Sequence, residues 1–294
     1  MKRWHILLIL FCGTLFAGDR LGAMALHQLL DQSKNRFVRL YNGGETNSIV
    51  IIGNSRADRH FPPSLLAAIS GKSVLNLGLG SVTTLVSETL LADFIEHNGP
   101  PALVIVEPTN LAVENTGVSD LRLFATYSDR LRAIIKQQTP RLYWAGELSH
   151  LFRFNNPMLV RVLKNIRRAP GDRLLHATIT PELLARLEGE KPKPMINQLE
   201  NEAALSRIVR LSKQHGFPLH MVIAPYLPGN GPPNLDAWIN QLRVRYGARV
   251  AIWNYANAID GVEYFTDRLH LNAGGVARLL KLMQTDGALS PSRS

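Results

Sequence analysis

Ser55, Asp267 and His270 have the residue types, and the last two the spacing, of a hydroxyl nucleophile with its proton relay. Ser55 follows an apolar run directly: Ser48–Ile52 leads into Gly53-Asn54-Ser55-Arg56 with no polar loop between. A serine hydroxyl is a weak nucleophile until a base takes its proton, and His270 can be that base. Asp267 lies three residues before His270. That spacing can put both side chains on one side of a short turn, with the carboxylate orienting the imidazole and stabilising its cation. Acyl transfer also needs donors aimed at an oxyanion. The candidates are the backbone N–H of Ser55, an N–H from the Gly80–Ser81 turn and the side-chain amide of Asn110. Gly53 lets the chain turn sharply, and a helix starting after Ser55 favours negative charge at its N-terminus. Arg56 and Arg268 flank the trio and are candidate substrate-binding residues for an anionic or sugar-bearing substrate. His60, five residues beyond Ser55, is expected on a helix face in a structural role.

These residues need elements to hold them. Apolar, β-rich runs occur at Ser48–Ile52, Val74–Leu77, Leu103–Val106, Leu219–Ala224 and Val250–Trp253. Helical patterns lie at Pro63–Ile69, Leu85–His97, Leu235–Tyr246 and Ala273–Met283. Strand–helix alternation predicts an α/β fold, a doubly wound parallel sheet of about five strands with helices on both faces. Continuous rather than alternating apolar strands suit burial on both sides. Ligands of such sheets bind outside the carboxyl ends of the strands. Ser55, Gly80, Ser81 and Asn110 all follow a predicted strand closely, and Asp267 and His270 come after the fifth. The interval Leu111–Phe217 breaks the rhythm with helical segments punctuated by Pro140, Pro157, Pro170 and Pro181. It is expected to be a helical insertion capping one end of the sheet.

The same blocks resemble the SGNH (GDSL-type) hydrolase superfamily, in its order. "IIGNSRA" is similar to the first block, with Ser55 as nucleophile. "NLGLGS" resembles the second, and "VEPTN" the third, which carries the oxyanion asparagine, here Asn110. "TDRLHLN" resembles the aspartate-x-x-histidine block, giving Asp267 and His270. The resemblance spans about residues 48–285 without most of the insertion. It departs from the pattern in three places: Asn54 stands for the usual aspartate, Ser81 for the second block's glycine, and Pro108 for the third block's glycine. The resemblance implies a flavodoxin-like sheet and no metal or organic cofactor.

The remaining motifs point elsewhere and fail on spacing. "SGKS" lacks the first glycine of a phosphate loop, Leu66 standing there, and "GLGSVT" has Thr83 where a dinucleotide fingerprint has its third glycine. Ala57 replaces the last glycine of a G-x-S-x-G elbow. A single cysteine, Cys12, excludes an internal disulfide framework and a cysteine-based zinc site. The net charge of +10 is spread along the chain without a nucleic-acid-binding motif, so no nucleic-acid partner is expected.

Lys2 and Arg3 precede a run of apolar and small residues from Trp4 to Gly18. This is the pattern of a signal peptide cut near Gly22–Ala25, or of a short uncleaved membrane anchor; the anchor is favoured because Asp19 and Arg20 precede the cut. Either reading places the rest of the chain outside the cytoplasm, membrane-anchored or secreted. The expected organisation is a signal-anchor at 1–25, a linker or helix at 26–47, an α/β domain at 48–285 with its insertion at 111–217, and a tail at 286–294. With the family resemblance, this implies a serine-dependent ester hydrolase or O-acyltransferase, its partner an acylated glycan of the cell surface or an exopolysaccharide. Two alternatives stand beside it: an inert binding module of surface-polysaccharide assembly, and a lipid-directed esterase docked through basic helices.

Overall fold

The computed structural model describes residues 3–109, 116–196 and 198–290. Its first half runs α1 (Arg3–Asp31), α2 (Arg36–Asn42), β1 (Ile49–Gly53), α3 (Ser55–His60), α4 (Pro63–Ser70), β2 (Val74–Asn76), α5 (Thr84–Asn98) and β3 (Leu103–Glu107). Four helices follow, α6 (Asp129–Gln138), α7 (Pro140–Leu148), α8 (Pro157–Lys164) and α9 (Pro181–Glu188). The chain then continues through α10 (Leu199–His215), β4 (Leu219–Ile223), α11 (Leu235–Tyr246), β5 (Ala251–Asn254) and α12 (Ala273–Thr285). These elements form two compact units, one of residues 1–42 and 117–170 and the other of residues 43–116 and 171–294.

The second unit holds a five-stranded, all-parallel sheet in the order β2-β1-β3-β4-β5, a flavodoxin-like α/β arrangement. The sequence explains its centre. β1 reads Ile-Val-Ile-Ile-Gly and β3 Leu-Val-Ile-Val-Glu, and every residue of both is buried. They pair in register from Ile49↔Leu103 to Gly53↔Glu107. Helices on both faces bury such a strand twice over, so it is apolar at successive positions rather than alternate ones. β5 is an edge strand, and its residues are only partly covered. From β1 the chain first builds outward to β2 and then returns to the other side at β3. The switch in strand order therefore lies between β1 and β3, where open α/β sheets place their ligands. One face packs Ile49, Ile51, Phe61, Phe265, Leu271 and Leu279 into a shared core.

The helices stop where the sequence says they should. α4 starts with Pro63 and ends at Gly71 in the left-handed region, and α10 ends at Gly216 in the same conformation. Asn272 caps α12 by accepting the Gly275 N–H.

The other unit is helical. Phe37, Val38, Leu40, Phe124, Leu131 and Val162 are fully buried in it. α1 is one continuous helix of 29 residues, long and apolar enough to cross a membrane. It changes character along its length. Large apolar side chains from Trp4 to Phe16 are exposed, whereas Ala23 and Leu30 are buried. Asp19 marks the change: its carboxylate accepts from the Ser149 hydroxyl and from the N–H groups of His150 and Leu151.

The expected organisation needs two corrections. Residues 111–217 are not one insertion: 117–170 group with residues 1–42, whereas α10 packs on α5 as an ordinary sheet-flanking helix before β4. The expected break at residue 25 falls inside α1, which continues unbroken to Asp31.

Candidate active site

The corner after β1 is built for close approach. Gly53 has φ +143°, and a Cβ there would lie 2.8 Å from the Glu107 carbonyl oxygen, so only glycine fits. Asn54 caps α3, its Oδ1 accepting from the Arg56 N–H at 2.9 Å. Its amide nitrogen donates to the Thr109 carbonyl, also at 2.9 Å. An ionised aspartate could make the first bond but has no proton for the second. The asparagine at this position thus joins the corner after β1 to the corner after β3. Ser55 follows as the first residue of α3, partly exposed.

The three residues expected to form a relay do meet. Ser55 Oγ lies 2.8 Å from His270 Nε2. On the far side of the ring, Nδ1 lies 2.9 and 3.1 Å from the two Asp267 oxygens. A carboxylate can only accept, so Nδ1 carries the proton and Nε2 is left to accept from the serine hydroxyl. Asp267 Oδ1 also accepts from the Leu269 and His270 N–H groups, at 2.8 and 3.0 Å, which winds the turn that brings the carboxylate under the ring. Partial burial pushes the Asp267 carboxyl up. Its hydrogen bonds and the attraction of His270 pull it down further, so it ends below the ordinary carboxylate value.

The oxyanion candidates divide. Gly80 is beside the nucleophile, since a Cβ built on it would sit 3.7 Å from Ser55 Cβ. Ser81 has φ +57°, the left-handed backbone that glycine adopts most readily. The loop is drawn in by Leu79, whose N–H donates to the Gly53 carbonyl. Neither Ser55 nor Gly80 gives its N–H to an acceptor among the described residues. Asn110 lies outside the described residues.

Arg56 is a correction. Expected to bind substrate, it is 2% exposed and wholly engaged inside the protein. Its Nε is 3.1 Å from Glu107 Oε1, and its other nitrogens donate to the carbonyls of Leu269 and Ala224. The guanidinium lies 3.9 Å from the centre of the Tyr226 ring, within cation–π range. One side chain thus ties α3 to the ends of β3 and β4 and to the residue beside His270. Glu107 and Tyr226 were not among the sequence candidates. A glutamate ending an all-apolar strand was the available signal for the first. Arg268 is on the surface, paired with Glu190 at 3.1 Å. His60 has the structural role expected of it: fully buried, its Nε2 accepts the Leu271 N–H at 3.0 Å. Burial, with Arg56 and His270 nearby, holds its pKa well below the usual histidine value, so it stays neutral.

Among the described residues no group of three or more His, Cys, Asp or Glu side chains is arranged to hold a metal ion. The chain matches no family model and no curated protein.

Proposed function

We propose that the protein is an SGNH-type serine enzyme that cleaves or transfers an acyl ester. The single observation that carries this reading is the continuous line Ser55–His270–Asp267 at the carboxyl ends of the strands. As the Ser55 oxygen attacks the ester carbonyl, its proton passes to His270 Nε2 and the carbonyl π electrons move onto oxygen. Asp267 steadies the imidazolium so formed. The N–H groups of Ser55 and of the Gly80–Ser81 turn are the donors we assign to the oxyanion, with the Asn110 side chain as a third. When the tetrahedral species collapses, the C–O bond to the leaving alcohol breaks and that alcohol takes the proton from His270. An incoming water or second hydroxyl then gives its proton to His270 and attacks the acyl-serine. Water completes a hydrolysis; a hydroxyl completes a transfer. No step calls on a metal or organic cofactor.

The substrate class we favour is an acylated glycan outside the cytoplasm. The support is the long apolar helix near the N-terminus, together with Lys2 and Arg3 at its start, which by the positive-inside tendency favours a location outside the cytoplasm for the residues that follow. A fluorophosphonate probe tests the nucleophile directly. Wild-type protein is expected to label and Ser55→Ala not to; equal labelling of the two would end the proposal. Acetylated sugars tested against longer-chain esters then separate a glycan substrate from a lipid.

A further inference from the structure

The helical unit carries an apolar surface that the proposed reaction does not use. On α7, Trp144 and Leu148 are 59% and 83% exposed, and Leu151 in the following turn is 38% exposed. Arg141, Trp144 and Leu148 are spaced i, i+3 and i+7, so they form one stripe on that helix. The stripe is basic at its start: Lys136 Nζ lies 5.6 Å from the Trp144 ring and 5.7 Å from the Tyr143 ring. At its other end it meets α1. Arg20 donates to the Leu148 carbonyl while its guanidinium lies over the Phe16 ring, at 4.5 Å. Leu151 packs against the Gly22 position, where an added Cβ would come within 3.3 Å of it.

These contacts fix the height of the stripe along α1, and the length of α1 says what lies at that height. The apolar stretch Trp4–Gly18 spans roughly 22 Å at about 1.5 Å per residue. A bilayer's hydrocarbon core is about 30 Å thick. The shortfall of roughly 8 Å is about five more residues of helix, which passes the well-exposed Leu21 and ends just before Met24. That is the level at which Leu148 and Leu151 meet the helix.

We propose that α7 and the turn after it form a collar seated in the interfacial layer of the membrane that α1 crosses. Leu148 and Leu151 extend the short apolar span, Trp144 and Tyr143 lie among the headgroups as amphipathic rings do, and Lys136 and Arg141 face the phosphates. The inference rests on the reading of α1 as membrane-spanning, and the experiment separates the two.

The test uses the full chain in vesicles of phosphatidylcholine brominated at shallow or deep acyl positions, with variants retaining one tryptophan each. Trp144 alone is expected to be quenched, more strongly by shallow bromines than by deep ones. Quenching of Trp4 without Trp144 overturns the collar and leaves the span standing. Quenching of neither overturns both. A nitroxide on Leu148→Cys in a Cys12→Ala background, with all tryptophans kept, gives a second reading. Oxygen is expected to reach it more readily than a water-soluble nickel chelate, and the opposite order overturns the collar.

Discussion

At the residue scale, the proposed relay depends on which imidazole nitrogen carries the proton. The Asp267 carboxylate has only acceptors to offer Nδ1, so Nε2 faces Ser55 without a proton. In Asp267→Asn the remaining oxygen can still accept from the Leu269 and His270 N–H groups, so the turn survives. The new amide then donates to Nδ1, and Nε2 must hold the proton instead. The expected result is near-normal substrate binding with turnover down on the order of 10⁴-fold, measured as kcat against KM on one acetylated substrate. Arg56 acts differently, through burial. Its pair with Glu107 is 2% and 0% exposed, so removing one partner leaves the other charged and unpaired inside. Arg56→Ala is expected to cost about 3–5 kcal/mol in urea unfolding followed by Trp238 and Trp253 fluorescence. The double variant Arg56→Met, Glu107→Met is expected to recover much of that loss, because no orphan charge remains. Equal losses in the two would show that the ion pair is not what holds this corner.

At the element scale, the sheet was legible because its strands are unbroken apolar runs, and each observed strand overlaps its predicted run to within a residue or two at either end. The candidate Ser55–His270–Asp267 site was legible because Ser55 directly follows the first strand and Asp267 and His270 stand three residues apart. Arg56 was not: an arginine next to a serine reads as exposed, and its burial arises only when the ends of β3 and β4 and the turn at Leu269 converge on it. α10 was hidden for a local reason. It lies in a proline-broken interval, and Gln198 gives it no side-chain cap to mark its start. The two glycines after β2 show how closely packed the site's elements are. A Cβ on Gly78 would sit 2.6 Å from the Asp58 nitrogen and 2.8 Å from Ala57 Cβ, so α3 would have to move. On Gly80 it would meet only Ser55 Cβ, at an ordinary 3.7 Å. Gly78→Ala is therefore expected to destabilise by about 1–3 kcal/mol. Gly80→Ala is expected to leave the unfolding midpoint unchanged and to slow fluorophosphonate labelling by crowding the approach to Ser55. A matched loss of stability in both would contradict the difference in packing.

At the scale of the whole molecule, the chain order of the two units gives α1 two jobs. Residues 1–42 and 117–170 belong together, and Asp19 bonds to residues about 130 positions away. No sequence periodicity reports a partnership of that kind. It bears on whether the N-terminal segment is an anchor or a removable signal. Removing residues 1–17 takes away side chains that, among the described residues, are exposed and tied to the rest of α1 only by the Phe16–Arg20 ring contact. The helical unit of that truncated protein is expected to unfold at the wild-type temperature, followed by the near-ultraviolet signal of its tyrosines and Trp144. Removing residues 1–25 takes away Asp19 and buried Ala23 as well. Hydrogen bonds to a charged group contribute about 1.5–3 kcal/mol each, so losing those made by Asp19 costs more than about 3 kcal/mol even if they add poorly. For a domain of this size that is a fall of more than about 10 °C. Cleavage after Ala25 would therefore leave a poorly held helical unit, which argues for an uncleaved anchor. Equal melting temperatures for the two truncations would remove that argument and restore the signal-peptide reading.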